Sequence, residues 1–346
     1  MWRATGNMNE VRFGETATLL RNGNVLVVGG RSNWGGHGVA LASAELFDPS
    51  TGRWTLTGSM LEARQEHAAI LLANGKVLVL GGNASGGGIP RVLFTAELFD
   101  PSTGTWTKTG RVPLRVLDAT ATLLPDGKVL VLGGRTSNAD DPVRGAEIYD
   151  PVSEAWTETT SMDVGRQGHT ATLLGDGRVL VVGGGCCDQP ARASAEVYDP
   201  ESATWVRTGG LSSPRLYHAA VLLADGQVLV YGGDNRSDHP PVTTAELYDP
   251  ATGVWVTTGS PRNAGSFEAQ GAVHGQGVRL ADGRIFAAAY AAAGEMYDPA
   301  RGSWSTVGGL SGDAYLYVHT STLLVDGRVL VTSEPASVVF DANGAP

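Results

Sequence analysis

Apolar residues fall in short paired runs separated by turn residues, and the pairing recurs along the whole chain. In one copy, His67-Ala68-Ala69-Ile70-Leu71-Leu72 is followed by Ala73-Asn74-Gly75-Lys76 and then by Val77-Leu78-Val79-Leu80-Gly81-Gly82. Short apolar runs rich in β-branched residues and bounded by Asn, Asp and Gly predict strands. Asn or Asp followed by Gly stands at the same place in each copy, at Asn22, Asn74, Asp126, Asp176, Asp225, Asp282 and Asp326. That dipeptide predicts a tight hairpin with a type I′ turn, in which both central residues take positive φ. A segment of variable sequence comes after the Gly pair. A third run such as Ala96-Glu97-Leu98-Phe99 ends at Asp100-Pro101, and a fourth surrounds Trp106. Proline cannot donate to a strand ladder, so Asp-Pro marks the end of the third strand.

The unit repeats about every fifty residues. Trp54, Trp106, Trp156, Trp205, Trp255 and Trp304 give spacings of 52, 50, 49, 50 and 49. A further Trp lies at the other end of the chain, where Trp2-Arg3-Ala4-Thr5-Gly6-Asn7-Met8 reads like Trp54-Thr55-Leu56-Thr57-Gly58-Ser59-Met60. The seventh copy, His319 to Asp341, has no Trp of its own. These observations predict an all-β chain, a seven-bladed β-propeller of four-stranded blades over 1–346. The blades are expected near 12–57, 64–109, 115–159, 166–208, 215–258, 262–307 and 315–346, with 1–8 closing the last one.

A four-stranded repeat of this length with a Gly doublet, an aromatic before Asp-Pro and a Trp resembles the kelch family of β-propellers. The resemblance covers essentially the whole chain, and five of the seven copies keep the doublet. Propellers of the Trp-Asp type have a shorter period of about 40–45 residues.

Composition narrows the partners. The net charge is −10, and only Lys76, Lys108 and Lys128 are lysines among 25 cationic residues, which argues against nucleic acid or an anionic membrane. No apolar run approaches the roughly 18 residues of a membrane span. A soluble monomer is expected, cytoplasmic or secreted with a leader absent from this sequence. The two cysteines, Cys186 and Cys187, are adjacent, and Cα atoms about 3.8 Å apart lie below the usual disulfide range.

Comparing copies separates scaffold from specialised positions. Glu recurs before the third-strand aromatic at Glu45, Glu97, Glu147, Glu196, Glu246 and Glu295. Arg precedes the first strand at Arg12, Arg64, Arg115, Arg166, Arg215 and, less regularly, Arg262. The seventh copy has Val338 in place of the Glu and Tyr315-Leu316-Tyr317 in place of the Arg. Their joint loss predicts an ion pair inside each ordinary blade, because either charge alone would be costly to bury. The resemblance to animal kelch adaptors also implies anion-binding arginines, which would make Arg64, Arg166 and Arg215 ligand contacts.

His67, His169 and His218 share one aligned position at the start of the first strand; His319 matches it, and Glu15 and Ala119 replace it elsewhere. Recurrence suits hydrogen bonding to neighbouring backbone. The same placement beside the central channel suits a transition metal, with His169, His218 and His319 as ligands and copper or zinc as the metal. The stretch Arg215-Leu216-Tyr217-His218 before Leu222-Leu223-Ala224-Asp225-Gly226 is similar to the Tyr-His copper ligands of the galactose oxidase family. That family also needs a Tyr cross-linked to Cys, whereas Gly168 stands where the second Tyr is expected.

The constant turns must share one face of the ring and the variable loops the other. Loops at 31–43, 83–95, 135–145, 185–194 and 234–244 therefore mark the working face, and the channel mouth there is the expected ligand site. The last three copies depart most from the pattern. They contribute Tyr217, His218, Glu268, His274, Tyr317 and His319 as candidate reacting groups, with Tyr290 and Tyr315 as further ligand contacts. Two functions are expected: a binding propeller for a glycan, small molecule or protein, or a metal-dependent oxidase, lyase or hydrolase acting on a carbohydrate or other small molecule.

Overall fold

The computed structural model describes residues 1–33, 38–85, 91–114, 116–136, 142–185, 190–235, 242–262, 277–288, 293–309, 317–334 and 337–342. The strands form seven four-stranded antiparallel sheets, the blades of a β-propeller. Blade 2 shows the pattern, with strands Ala68–Leu71, Val77–Leu80, Ala96–Asp100 and Thr105–Lys108 in spatial order. The first strands of successive blades contact one another around the ring, from Thr16–Leu19 of blade 1 to Tyr317–Leu323 of blade 7 and back. They line the central channel.

Each second strand is buried on both faces, as in Val25–Val28, Val77–Leu80 and Val129–Leu132. This explains why these strands read as unbroken apolar runs: each packs between two neighbouring blades. The core is accordingly divided into seven clusters, one per interface between blades. Leu26, Val28 and Ala44 of blade 1 meet Val77, Val79, Phe99 and Trp106 of blade 2, and equivalent residues repeat the contact around the ring. Such division lets a chain of this length avoid a single oversized core.

The Trp markers stitch blades together. Trp106 faces Phe99 across the two outer strands with ring centroids 5.0 Å apart, and its indole N–H donates to the Gly58 carbonyl in the preceding link at 2.6 Å. Trp205, Trp255 and Trp304 donate in the same way to Thr160, Gly209 and Gly259.

Ring closure follows the sequence expectation. Trp2–Ala4 pairs antiparallel with Val338–Phe340, with Trp2 opposite Phe340, and so becomes the outer strand of blade 7. The Trp2 ring packs 5.0 Å from Phe340 and 5.7 Å from Phe286 of blade 6.

The inner hairpins correct one expectation. In the Asn22-Gly23 turn and its equivalents only the glycine has positive φ, 89° at Gly23, so the turns are not type I′. Leu20 N–H donates to Asn24 O and Gly23 N–H to Leu20 O, which makes a three-residue loop with Gly in the left-handed region. The Asn or Asp side chain instead caps the loop. Asn22 Oδ1 accepts from Asn24 N at 3.1 Å, and Asp126 from Lys128 N at 3.0 Å.

Candidate functional site at the channel mouth

Two layers lie at the end of the inner strands that faces the variable loops. The deeper layer is structural. Arg12, Arg64, Arg166 and Arg215 are fully buried and pair with Glu45, Glu97, Glu196 and Glu246 at 3.1, 2.7, 2.9 and 3.0 Å. Each guanidinium also donates to the carbonyl of the first glycine of its doublet, as Arg166 does to Gly183 at 2.7 Å, and to a residue opening the third strand, as Arg166 does to Ser194 O at 2.8 Å. The partner Glu accepts from the link backbone, as Glu97 does from Leu61 N and Glu62 N. The expected intra-blade pair is therefore present in blades 1, 2, 4 and 5. Arg64, Arg166 and Arg215, expected as ligand contacts, expose no side-chain surface and direct their donors to these protein partners.

The aligned histidines belong to this layer too. His67, His169 and His218 are buried, and each Nε2 lies 2.9–3.0 Å from a threonine hydroxyl of the preceding blade, Thr16, Thr120 and Thr170. Their rings fit beside the left-handed glycines: a Cβ on Gly183 would come within 2.7 Å of the His218 ring. Burial, reinforced by Arg64, holds the His67 pKa down to about 3. His169 and His218 thus reach sideways between blades. Among the described residues no three His, Cys, Asp or Glu side chains gather as metal ligands. In blade 1 Glu15 takes the histidine place and accepts from Thr332 of blade 7 at 2.8 Å.

The upper layer differs in every blade. The residue before the aligned histidine is Gly14, Glu66, Asp118, Gly168 and Tyr217 in blades 1 to 5, and all five have positive φ, between 53° and 68°. The residue after the Gly doublet is bridged to the residue just ahead of this position, for example Arg135 to Leu117 and Gly185 to Gln167. Side chains from both positions meet at the mouth. Arg135 Nη2 donates to Glu66 Oε2 at 3.1 Å, and its Nε donates to Asp118 Oδ2 at 3.3 Å. Gln167 Nε2 donates to the same Asp118 oxygen at 3.1 Å and to the Tyr217 hydroxyl at 2.9 Å.

This chain of contacts runs from blade 2 to blade 5. Gly168 makes it possible, because a Cβ there would lie 2.9–3.2 Å from three atoms of the Tyr217 ring. Glu66, Asp118 and Arg135 side chains remain 19, 15 and 12% exposed, so the network is accessible from the channel. Burial and the Asp118 charge raise the Glu66 pKa to about 7, against the opposing pull of Arg135 and Arg31.

Of the sequence-predicted site residues, Tyr217 lies in this network and His218 directly beneath it. Glu268, His274, Tyr290 and Tyr315 fall outside the described residues, as do Cys186, Cys187 and Arg115. Tyr317 and His319 lie on the inner strand of blade 7, and their side chains are likewise outside the description. Sequence reasoning missed Glu66, Asp118, Arg135 and Gln167. The signal was slight: one aligned column reads Gly, Glu, Asp, Gly, Tyr, with two acidic residues among the five, while the column before it reads Phe, Gln, Leu, Gln, Leu and the one after it Glu, His, Ala, His, His.

Comparison with known proteins agrees with this architecture. The KLHDC2/KLHL20/DRC7 kelch-repeats domain matches residues 69–287, and the kelch motif matches residues 15–61. The chain belongs to the kelch-repeat family. It is 29% identical over 131 residues to the Kelch-like protein terF of Aspergillus terreus, covering 35% of this chain and 27% of that protein. An F-box/kelch-repeat protein of Arabidopsis thaliana is 32% identical over 121 residues, covering 34% and 30%. The chain thus spans under a third of the length of these relatives. The solved structure of YjhT superposes with a TM-score of 0.63 at 13% identity, covering 97% of this chain and 99% of that one. Kelch propellers commonly mediate binding. No helix among the described residues is long and apolar enough to cross a membrane.

Proposed function

We propose that the protein is a ligand-binding propeller whose site is the channel mouth of blades 2 to 5, and that its ligand is a small polyhydroxyl molecule or the sugar end of a glycan. The Glu66–Arg135–Asp118–Gln167–Tyr217 network carries this reading. Among the described residues, each carboxylate spends one oxygen on the protein donors described above and has the other, Glu66 Oε1 or Asp118 Oδ1, to offer as an acceptor for hydroxyl groups. The Tyr217 ring supplies an apolar wall of the kind a sugar face packs on. Three non-glycine residues held in the left-handed region support the same reading, since such conformations cost about 1–3 kcal/mol each and gather at binding sites.

The alternative, a metal-dependent enzyme, draws less support from the described residues, because His169 and His218 are committed to threonines between blades.

Calorimetric titration with D-glucose, D-galactose, D-mannose and N-acetyl-D-glucosamine tests the proposal. At least one sugar should bind, and Asp118→Asn should weaken it about tenfold, one lost charged hydrogen bond, with only a small change in the melting temperature. Failure of the whole panel to bind, or an unchanged affinity in Asp118→Asn, would overturn it.

A further inference from the structure

Glu66 and Asp118 approach one guanidinium from opposite sides, and the two contacts differ. Arg135 gives Glu66 its Nη2 and Asp118 its Nε, while Asp118 takes a second donor from Gln167. Asp118 is thus doubly supported and Glu66 singly. Two partly buried carboxylates that share one cation compete for it, and the less supported one is the natural place for a proton. The backbone reinforces the proximity, since Asp118 N–H donates to Glu66 O at 3.3 Å.

We propose that Glu66 is a proton-operated switch on the channel mouth, which trades Arg135 between the two carboxylates and passes the change through Asp118 and Gln167 to Tyr217. With the proton on, Glu66 is neutral, Arg135 is held chiefly by Asp118, and the mouth carries one hydroxyl donor more. When the proton leaves to solvent, Glu66 becomes a second anionic acceptor and draws on the same guanidinium. Asp118 then leans more on Gln167, whose other N–H bond goes to the Tyr217 hydroxyl.

Among the described residues, the groups that face Glu66 are few. Arg31 from blade 1 and Arg135 from blade 3 favour the charged form, and Asp118 from blade 3 disfavours it. His67, the next residue, is kept neutral by burial and adds no charge at neutral pH. Tyr217 of blade 5 acts on Arg135. The balance places the proton's release near pH 7, driven first by burial and then by Asp118.

The inference rests on the mouth being the binding site, yet its test needs no sugar, so a silent sugar panel and a failed switch are separate results. Carbon-13 carboxyl spectra of glutamate-labelled protein, with the Glu66 signal identified by its loss in Glu66→Gln, follow the proton directly. The midpoint should lie near 7 and fall in Asp118→Asn. Asparagine tolerates positive φ, so that variant keeps the backbone. Ring signals of Tyr217, identified by Tyr217→Phe, should move with the same midpoint and lose that inflection in Glu66→Gln. A Glu66 midpoint in the ordinary carboxylate range, no response to Asp118→Asn, or a Tyr217 signal that ignores the Glu66 midpoint would each overturn the switch.

Discussion

Glu66 and His67 are neighbours in sequence and belong to different worlds. His67 repeats as His169 and His218, points between blades and bonds a threonine hydroxyl. Glu66 sits in a column that reads Gly, Glu, Asp, Gly and Tyr in blades 1 to 5, and it shares an arginine with Asp118, the residue at its own position in blade 3. One step along the chain separates a position that three blades fill with the same buried histidine from a position whose side chain changes from blade to blade. The burial that serves as scaffold at one drives chemistry at the other, because desolvation lowers the His67 pKa and raises that of Glu66. In a repeat fold, what the scaffold needs recurs, and what function needs breaks the recurrence.

The largest effect should come from breaking the repeated layer. Arg166→Ala strands a buried Glu196, and Glu196→Ala strands a buried Arg166, so each should cost about 3–5 kcal/mol. Removing both leaves neither charge alone, and the double variant should cost clearly less than the sum. Urea denaturation of the four proteins measures this, and strict additivity would show that the pair is not a unit. Asp118→Asn, at the mouth, should cost far less than either single change.

Next in size is the pH dependence, where the two neighbours oppose each other. The folded-state pKa of His67 is depressed, so its contribution is present above about 6.5 and is lost as pH falls toward 3. The folded-state pKa of Glu66 is raised, so its contribution is present below about 4.5 and is lost as pH rises through 7. Between those ranges, from about pH 4.5 to 6.5, each slope approaches 1.4 kcal/mol per pH unit with opposite sign, and the two offset one another. Glu66→Gln should therefore unmask an acid loss of stability, and His67→Gln a loss toward neutral pH. Stability curves of both variants that run parallel to the wild type would refute the assignment.

How much of this was legible in the sequence follows from the same contrast. Seven blades, the buried Arg–Glu pairs and closure by Trp2–Ala4 were readable, because each rests on a residue type recurring at fixed spacing. The hairpin turn was misread, since Asn22-Gly23 fits two loop types and only the backbone shows that Gly23 alone takes positive φ. The network of blades 2 to 5 was not legible, and most of the candidates in the last three copies lie outside the described residues. Attention went to the irregular later copies, whereas Glu66, Arg135 and Asp118 are ordinary residues in regular copies, and their meeting depends on a ring that brings positions about fifty apart side by side. Gly168 was noted only as a missing Tyr, and its part in seating Tyr217 appears only when the two blades are placed together.

The smallest expected effect sharpens the boundary between the layers. Gly168 lies at φ 63° with the Tyr217 ring against it, and Gly183, in the same blade, lies at φ 64° with the His218 ring against it. Alanine at either position meets the same backbone strain, on the order of 1 kcal/mol. Their neighbours differ in freedom, however. The His218 ring is fully buried and tied to Thr170, so Gly183→Ala must also disrupt the packing between blades 4 and 5. The Tyr217 ring is only partly buried, so Gly168→Ala should cost little beyond the strain and the loss of the Gln167 hydrogen bond, about 1–2 kcal/mol in all. Thermal unfolding should rank Gly183→Ala well below Gly168→Ala, while only Gly168→Ala should disturb the Tyr217 ring signals. Equal melting temperatures for the two variants would mean that the mouth is as much a part of the scaffold as the layer beneath it.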